Sequence, residues 1–574
     1  MKIILKYLKP FAGKMTVGVS IKVFGTLVEL LLPYILSHIL EKVVHRQDVR
    51  LIIFWGVMMI LCALTACISN IIANRMASRV SRDFSERVRH DLFSKTLTLS
   101  SAQVDSFTVA SLESRITTDT YNVHHFVGMM QRMGVRAPIL LVGGIIITLV
   151  MDSFLALAMI AVLPFIFVTV YFISRKGVPL YSKVQESVDR MVRVVREDTQ
   201  GIRVIKALSK TEYEHRRYDA VNRSLSKDEQ KAGIIMGSVN PIMTLLMNMG
   251  IVAVVAMSAN RVAGHESSPE TVIAFMQYFT QISMAMMTVT RIFVMYTKSA
   301  ASAGRIAEVI ESKEDLRVCS ETEYPPRENG SHIEFENVSF SYKGVHNDLA
   351  DISFSLPKGG SLGIIGATGS GKTTLIRLLM RFYDVSAGSV RINGRDVRTI
   401  PAQELYPIFG VALQQDFLYA DTVEENIKLG RDISASDVVA AAKIAQADEF
   451  IRGFADGYGH MLSQKATNIS GGQKQRLLIA RAIAAKPEIL VLDDSSSALD
   501  YKTDAALRAA LRENLTDTTV ITVAQRVSSV KDSDLILVLD EGRIIGKGKH
   551  EDLLETCREY REISDSQMGG AFVE

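Results

Sequence analysis

SLGIIGATGSGKTTLIRLLMRFY, residues Ser361 to Tyr383, changes character twice in a short space. An uncharged apolar run at Leu362–Ile365 gives way to Gly366, Gly369 and Gly371, and these to a stretch with helical spacing of apolar residues. The order is strand, Gly-rich loop, helix. Within it stands Gly366-x4-Gly371-Lys372-Thr373. The glycines let successive backbone N–H groups curl around phosphate oxygens at a helix N-terminus. Lys372 supplies a point charge to the outer phosphates, and the Thr373 hydroxyl can ligate Mg²⁺.

Further on, ILVLDDSSSALD (Ile489–Asp500) is a second apolar strand pattern, ending in two adjacent carboxylates, Asp493 and Asp494. Like charges side by side require a cation. In nucleotidases with such a loop, a strand-end Asp helps to hold the Mg²⁺. Asp493 therefore reads as the metal-side carboxylate, with Mg²⁺ and Lys372 as the balancing charges. The strand patterns HIEFENVSFSY and LADISFSLP precede the loop. An α/β P-loop nucleotide-binding domain over 331–574 follows, after a linker at 313–330 that Pro325–Pro326 interrupts.

The rest of the chain is of a different kind. At 574 residues it is too long for one ordinary core. Leu51–Asn74, Ser153–Ser174, Ala232–Asn260 and Thr271–Thr290 are uncharged and long enough to span a bilayer. Ile139–Met151, extended backwards past Arg136 and Arg132, and Met15–Leu40, carrying Lys22 and Glu29, bring the expected spans to six. Spans 1–2, 3–4 and 5–6 are closely joined, as by Met151–Asp152–Ser153, whereas long polar stretches of helical periodicity separate 2–3 and 4–5. Helices that run on beyond the bilayer explain this spacing, and the Lys and Arg in those stretches favour the cytoplasmic side. The expected fold is an α-helical polytopic membrane domain over 1–312, six long helices with cytoplasmic extensions, followed by the P-loop domain. Both termini are expected in the cytoplasm.

Smaller features bound the function. A net charge of +3, with acids and bases mixed, gives no nucleic-acid footprint. Cys62, Cys67, Cys319 and Cys557 have no disulfide or zinc spacing and read as reduced thiols, Cys557 within the final helix. MKIILKYLKPFAGK is too short in apolar residues for a signal core and reads as an amphipathic helix at a membrane surface. Lys22 and Glu29, two turns apart, and Arg291 read either as a polar internal cavity or as structural partners. Spans 5 and 6 hold Met243, Met247, Met249, Met257, Met276, Met284, Met286 and Met287, which suit an adaptable binding surface or ordinary packing.

NISGGQKQRL, at Asn468–Leu477, carries a family resemblance: with the motifs above, the chain resembles an exporter-type ATP-binding-cassette (ABC) transporter half over nearly its whole length. The resemblance makes Tyr342 the aromatic that stacks on adenine. It makes Gly366–Thr374, with Thr368, Gly369, Ser370, Gly371, Lys372, Thr373 and Thr374, the Walker A loop. Gln414 matches the glutamine that senses Mg²⁺, so that Thr373, Gln414 and Asp493 form the expected metal set. Ser470, Gly471, Gly472 and Gln473 match the signature, and Ser497–Asp500 the D-loop. Ser111–Asp119 resembles the segment around the first coupling region, and Gly201–Leu208 the coupling helix that rests on a cassette. In the family, two cassettes face head to tail, each signature closing over the other's ATP, so a second half-transporter chain is implied.

Two positions depart from the family pattern. Asp494 stands where the water-polarising glutamate belongs, and Gln525 where the switch histidine belongs. Aspartate is one methylene shorter, a shift of roughly 1–1.5 Å, and misplacement on that scale costs about a hundredfold. Gln525 can donate to a phosphate oxygen but cannot carry positive charge. The expectation is a degenerate ATP site of this chain's own, with an intact signature serving a non-identical partner that has glutamate and histidine. The function expected is ATP-driven export of hydrophobic or amphipathic compounds (drug, lipid or peptide). The alternatives are a homodimeric exporter and a siderophore-type importer of the same fold. No peptidase domain precedes the membrane half and no regulatory segment follows before Glu574, which weighs against a leader-cleaving exporter and a channel subunit.

Overall fold

The computed structural model describes residues 1–263, 269–327, 330–414, 417–495 and 497–568. Part of the expected linker and the chain end at Glu574 lie outside these. The chain forms two compact units, Met1–Thr98 with Thr108–Ser312, and Leu99–Phe107 with Lys313–Glu574.

The first unit holds six helices long and apolar enough to cross a membrane: Lys2–Arg46, Val49–Leu97, Val109–Met151, Ser153–Gln200, Thr211–Ala259 and Pro269–Ile310. At 42 to 49 residues each, they extend about 63–74 Å, against a hydrocarbon core of about 30 Å. Roughly half of each helix therefore lies outside the bilayer, as the spacing of the spans implied. Aspartates start the second and fourth helices. Asp48 accepts from the N–H of Arg50 at 2.9 Å and Asp152 from that of Phe154 at 3.0 Å, satisfying N–H groups that no carbonyl reaches.

The apolar centre of this unit gathers Leu30, Leu140, Leu155, Met159, Ile166, Phe275, Tyr278 and Phe279. Tyr278 donates its hydroxyl to the Leu30 carbonyl at 2.6 Å, tying the sixth helix to the first. Met243, Met247, Met257, Met286 and Met287 join this core, while Met249, Met276 and Met284 face outward. Packing thus takes up most of the methionine-rich stretch. Nearer the cytoplasm, polar pairs bind the third helix to the sixth: Arg305 grips Asp119 at 2.8 and 2.5 Å, and Asn122 donates to Ser302 at 3.1 Å. The amphipathic start departs from expectation. Ile3, Ile4 and Phe11 are buried against protein, with Phe84, Val88, Val123 and Ile306 around the isoleucines, so that apolar face is not left for lipid. The guanidinium of Arg87 lies 5.0 Å from the Phe11 ring centre.

The second unit is built on two sheets. β1 (Ile333–Phe340), β2 (Leu349–Leu356), β4 (Ala387–Ile392) and β5 (Arg395–Asp396) form an antiparallel sheet in the order β2-β1-β4-β5. β3 (Ser361–Gly366), β6 (Phe409–Ala412), β7 (Ile489–Asp493), β8 (Thr519–Val523), β9 (Leu535–Asp540) and β10 (Arg543–Gly548) form the other, ordered β10-β9-β3-β8-β7-β6. All its neighbours are parallel except β9 and β10. β3 and β7 are nearly pure apolar runs because parallel strands are covered on both faces. Cys557 sits between the last two helices, His550–Thr556 and Arg558–Met568, and not inside the final one.

Leu99–Phe107 belongs to this unit although it lies between the second and third long helices in sequence. Its helix, Ser101–Phe107, presents Asp105 to the Tyr383 hydroxyl at 2.5 Å, and Gln103 donates to the Lys313 carbonyl at 2.7 Å. The segment Ser111–Asp119 instead belongs to the membrane unit.

A helical layer, from Val423 through the helix Gly471–Ala484, has its own core of Leu418, Val423, Ile427, Val438, Ile451 and Leu477. Arg481 is buried in it and donates to the carbonyls of Asn426 and Phe417, each at 2.8 Å, and to the Asn426 side chain at 3.2 Å. Arg481→Met keeps the stem but strands these acceptors. It is expected to destabilise the unit by about 3 kcal/mol, seen as a lowered Tm of the purified protein.

Candidate functional site

The carboxyl ends of β3, β6, β7 and β8 all point to one edge of the parallel sheet, where open α/β sheets place their ligands. A cavity of about 390 Å³ opens there. β3 contributes the Gly-rich loop with Lys372, Thr373 and Thr374; β6 leads to Gln414, β7 ends on Asp493 and Asp494, and β8 leads to Gln525. Thr368, Gly369 and Gly371 complete the set of sequence-expected residues that line it. Gly366 and Ser370, also expected there, are not among the lining residues.

The loop can be built only with glycine at two points. Gly366 passes so close to β9 that a Cβ would lie 2.1 Å from the Leu539 carbonyl oxygen. Gly371 has φ +98°, and a Cβ there would meet Leu349 at 2.6 Å. Gly371 also caps the helix Lys372–Leu379 with no side-chain acceptor, so the helix N-terminus keeps its N–H groups for an anion. Lys372 folds back on the loop and donates to the carbonyls of Gly366 at 2.8 Å and Ala367 at 2.6 Å. Burial holds its ammonium below the ordinary lysine range, with Asp493 and Asp494 opposing. A polyphosphate would give this half-buried cation the charge it lacks.

Asp493 is buried and accepts from the Thr373 hydroxyl at 3.0 Å. Burial raises the Asp493 carboxyl above its usual range, and that of Asp494 likewise. Hydroxyl and carboxylate together suit Mg²⁺. Asp494 takes a left-handed backbone at φ 49°, which aspartate tolerates better than most residues. Its Oδ2 accepts from the side-chain amides of both Gln414 and Gln525, each at 3.4 Å. Both sequence departures therefore meet at one carboxylate.

Tyr342 stands beside this cavity without lining it. Its ring lies edge-on to Phe340 and Tyr383, with centres 4.8 and 5.1 Å apart, and its hydroxyl donates to Thr374 at 3.3 Å. Tyr383 in turn donates to Asp105, so a path of contacts runs from Thr374 to the helix Ser101–Phe107.

Ser470, Gly471, Gly472 and Gln473, the residues that resemble the signature, lie elsewhere on the unit. Ser470 caps the helix Gly471–Ala484: its hydroxyl accepts from the Gln473 N–H at 3.2 Å, while its own N–H donates to the Gln473 side chain at 2.9 Å. None of these four residues lines the cavity of their own chain. Gln475, two residues past Gln473 and given no role by the sequence, donates to the Ser497 hydroxyl at 3.1 Å and accepts from the Ala498 N–H at 2.9 Å. Ser497 donates on to the Asp494 carbonyl at 3.0 Å, whereas Asp500 caps the next helix through the Thr503 N–H. Sequence reading also passed over Gln567, which holds the Gln525 carbonyl at 2.8 Å, and Asp348 and Glu541 at the cavity rim.

Two outcomes follow from this geometry. Gly371→Ala is expected to weaken binding of a fluorescent ATP analogue by about tenfold or more, since both backbone and space oppose it. Gln475→Leu frees Ser497 and Ala498 from the helix Gly471–Ala484; kcat for ATP is expected to fall about tenfold while KM stays within about twofold, the mark of a positioning residue.

Comparison with known proteins agrees with this geometry. The family description "ABC transporter transmembrane region" matches residues 15–286, and "ABC transporter" matches 349–497. The uncharacterized ABC transporter ATP-binding protein YfiB of Bacillus subtilis is 33% identical over 98% of both chains. The uncharacterized ABC transporter ATP-binding protein Rv1273c of Mycobacterium tuberculosis is 32% identical over 99% of this chain and 98% of its own. A solved bacterial Atm1-family ABC exporter with ATP bound shares the fold at a TM-score of 0.81 and 23% identity, over 99% of each chain. The chain belongs to the ABC transporter family, with the exporter-type arrangement of a six-helix membrane region fused to a cytoplasmic ATPase cassette.

Proposed function

We propose that this chain is the slow-site half of a heterodimeric ATP-driven exporter. The observation that carries the reading is Asp494: a short carboxylate at the base position, engaged by two neutral amides, Gln414 and Gln525. Binding of ATP would draw Lys372 from the Gly366 and Ala367 carbonyls to the outer phosphates, while the N–H groups at Gly371–Thr373 cradle them. Tyr342 would offer its ring to adenine. Thr373, Asp493 and Gln414 would hold Mg²⁺, which supplies charge neutralisation between the phosphates. Asp494 would then reach poorly toward the attacking water, and Gln525 would donate to phosphate without adding positive charge.

Ser470, Gly471 and Gly472 point to a second chain, because an anion site at that helix end cannot serve phosphates bound at this chain's own loop. Two exposed surfaces support the same pairing. The short helix Ile202–Ala207 leaves Ile202, Val204 and the following Leu208 outside, and a groove bordered by Phe417, Tyr419 and Leu429 is open on the cassette unit. The partner would carry glutamate and histidine at the corresponding positions and turn over most of the ATP. Both termini would lie in the cytoplasm, and the outward Met249, Met276 and Met284 suit hydrophobic or amphipathic cargo.

Expression alone and beside a neighbouring ABC gene tests this. The complex should hydrolyse ATP well and the lone chain poorly. With the partner's glutamate replaced by glutamine, Asp494→Glu should raise the residual turnover at this chain's own site by about tenfold, net of about 1 kcal/mol for glutamate in a left-handed backbone. Replacing the partner's glutamate should abolish transport. A lone chain that forms a stable, fully active dimer overturns the reading.

A further inference from the structure

A second cavity, of about 410 Å³, lies within the membrane unit, and nothing above accounts for it. Its polar wall is Lys22 and Glu29 from the first helix, Asn70 and Asn74 from the second, and Arg136 from the third; Arg291 is not among its lining residues. Leu32, Ala63 and Ala66 make the apolar wall. Asn74 is the last uncharged residue before Arg75, where the second helix leaves the bilayer, so the cavity sits at the depth of the inner leaflet.

The charges in it are unequal. Arg136 and Glu29 form an ion pair, with nitrogen–oxygen distances of 2.5 and 3.2 Å. Lys22 is 4% exposed, and its ammonium has only two amide oxygens, Asn70 at 2.6 Å and Asn74 at 3.1 Å. Among the described residues no carboxylate lies within ion-pair distance of it. An ammonium has three donors, and the carboxylate that shares its cavity, Glu29, is already held by Arg136; a buried cation at membrane depth with no ion pair of its own is costly and marks function. The neutral asparagines orient Lys22 and leave one ammonium donor free, while Glu29 is committed to Arg136.

We propose that this cavity binds an amphiphile through a single anionic headgroup, phosphate or carboxylate. The headgroup takes the remaining ammonium donor of Lys22, while the first carbons of its tail lie on the Leu32–Ala63–Ala66 wall. The Glu29–Arg136 pair closes the deep end and excludes cationic headgroups that would compete for Glu29. This deepens the exporter reading and rests on it only in assigning the amphiphile as cargo or as resident lipid.

Cys67 lines the same cavity, whereas Cys62 does not, so the chain carries its own reporter and reference. Alkylation of both thiols by N-ethylmaleimide is followed by peptide mass spectrometry on the purified full-length transporter, without ATP. Dodecyl phosphate should slow Cys67 relative to Cys62, and dodecyltrimethylammonium should not. Lys22→Met should weaken that protection about tenfold, the worth of one charge-assisted hydrogen bond, and Lys22→Arg should retain it. If Lys22→Met does not fold, Lys22→Gln, which still donates to the asparagines, takes its place. Protection in phosphatidylcholine vesicles doped with phosphatidylglycerol assigns the site to a lipid, protection by dodecyl phosphate alone to cargo; both support it. Equal protection by the cationic detergent, protection by inorganic phosphate without a tail, or protection undiminished in Lys22→Met overturns it. No cassette turnover enters the measurement, so a failed nucleotide reading would show in ATP binding and leave this result intact.

Discussion

The hydrogen bond from the Thr373 hydroxyl to the Asp493 carboxylate joins the loop after β3 to the end of β7. Much else in the cassette unit is arranged by that meeting. It requires parallel strands with aligned carboxyl ends, and hence apolar strands buried on both faces. It also brings a lysine beside two carboxylates at the mouth of a cavity, where burial leaves all three charges under-compensated. Such a site is poised for a ligand that brings anionic phosphates and a divalent cation together.

From this centre two lines of contact lead outward. One runs through Thr374, Tyr342 and Tyr383 to Asp105, on a helix that interrupts the membrane unit in sequence. The other runs from Asp494 through Ser497 to Gln475, on the helix Gly471–Ala484. Contacts thus lead from the cavity both to the helix Ser101–Phe107 and to the helix Gly471–Ala484. The energy of each contact is modest, about 1 kcal/mol for a hydrogen bond. Their effect lies in positioning.

The membrane unit uses a different economy of forces. In lipid there is little hydrophobic drive between helices, so packing and polar pairs hold them. Asp119 with Arg305, Asn122 with Ser302 and Tyr278 with the Leu30 carbonyl are such pairs. Lys22 differs from these in having its orientation fixed and its charge left open.

Local pattern alone determined the order of a six-span half and a phosphate-binding half, the loop glycines and Lys372. These follow from span length and from backbone conformations that only certain residues adopt, and neighbours in sequence suffice to show them. Tertiary structure decided what depends on residues far apart. Asp494 and Gln525 read as two separate departures until β7 and β8 brought them to one carboxylate. Gln475 and Tyr383 lie within the quoted stretches but are given no role there, since their roles arise from what faces them across the fold. The N-terminal helix shows amphipathicity in sequence, but only packing shows that protein covers its apolar face. Lys22, Asn70 and Arg136 come from three helices, and a buried charge is recognised as unmet only when all its neighbours are in place.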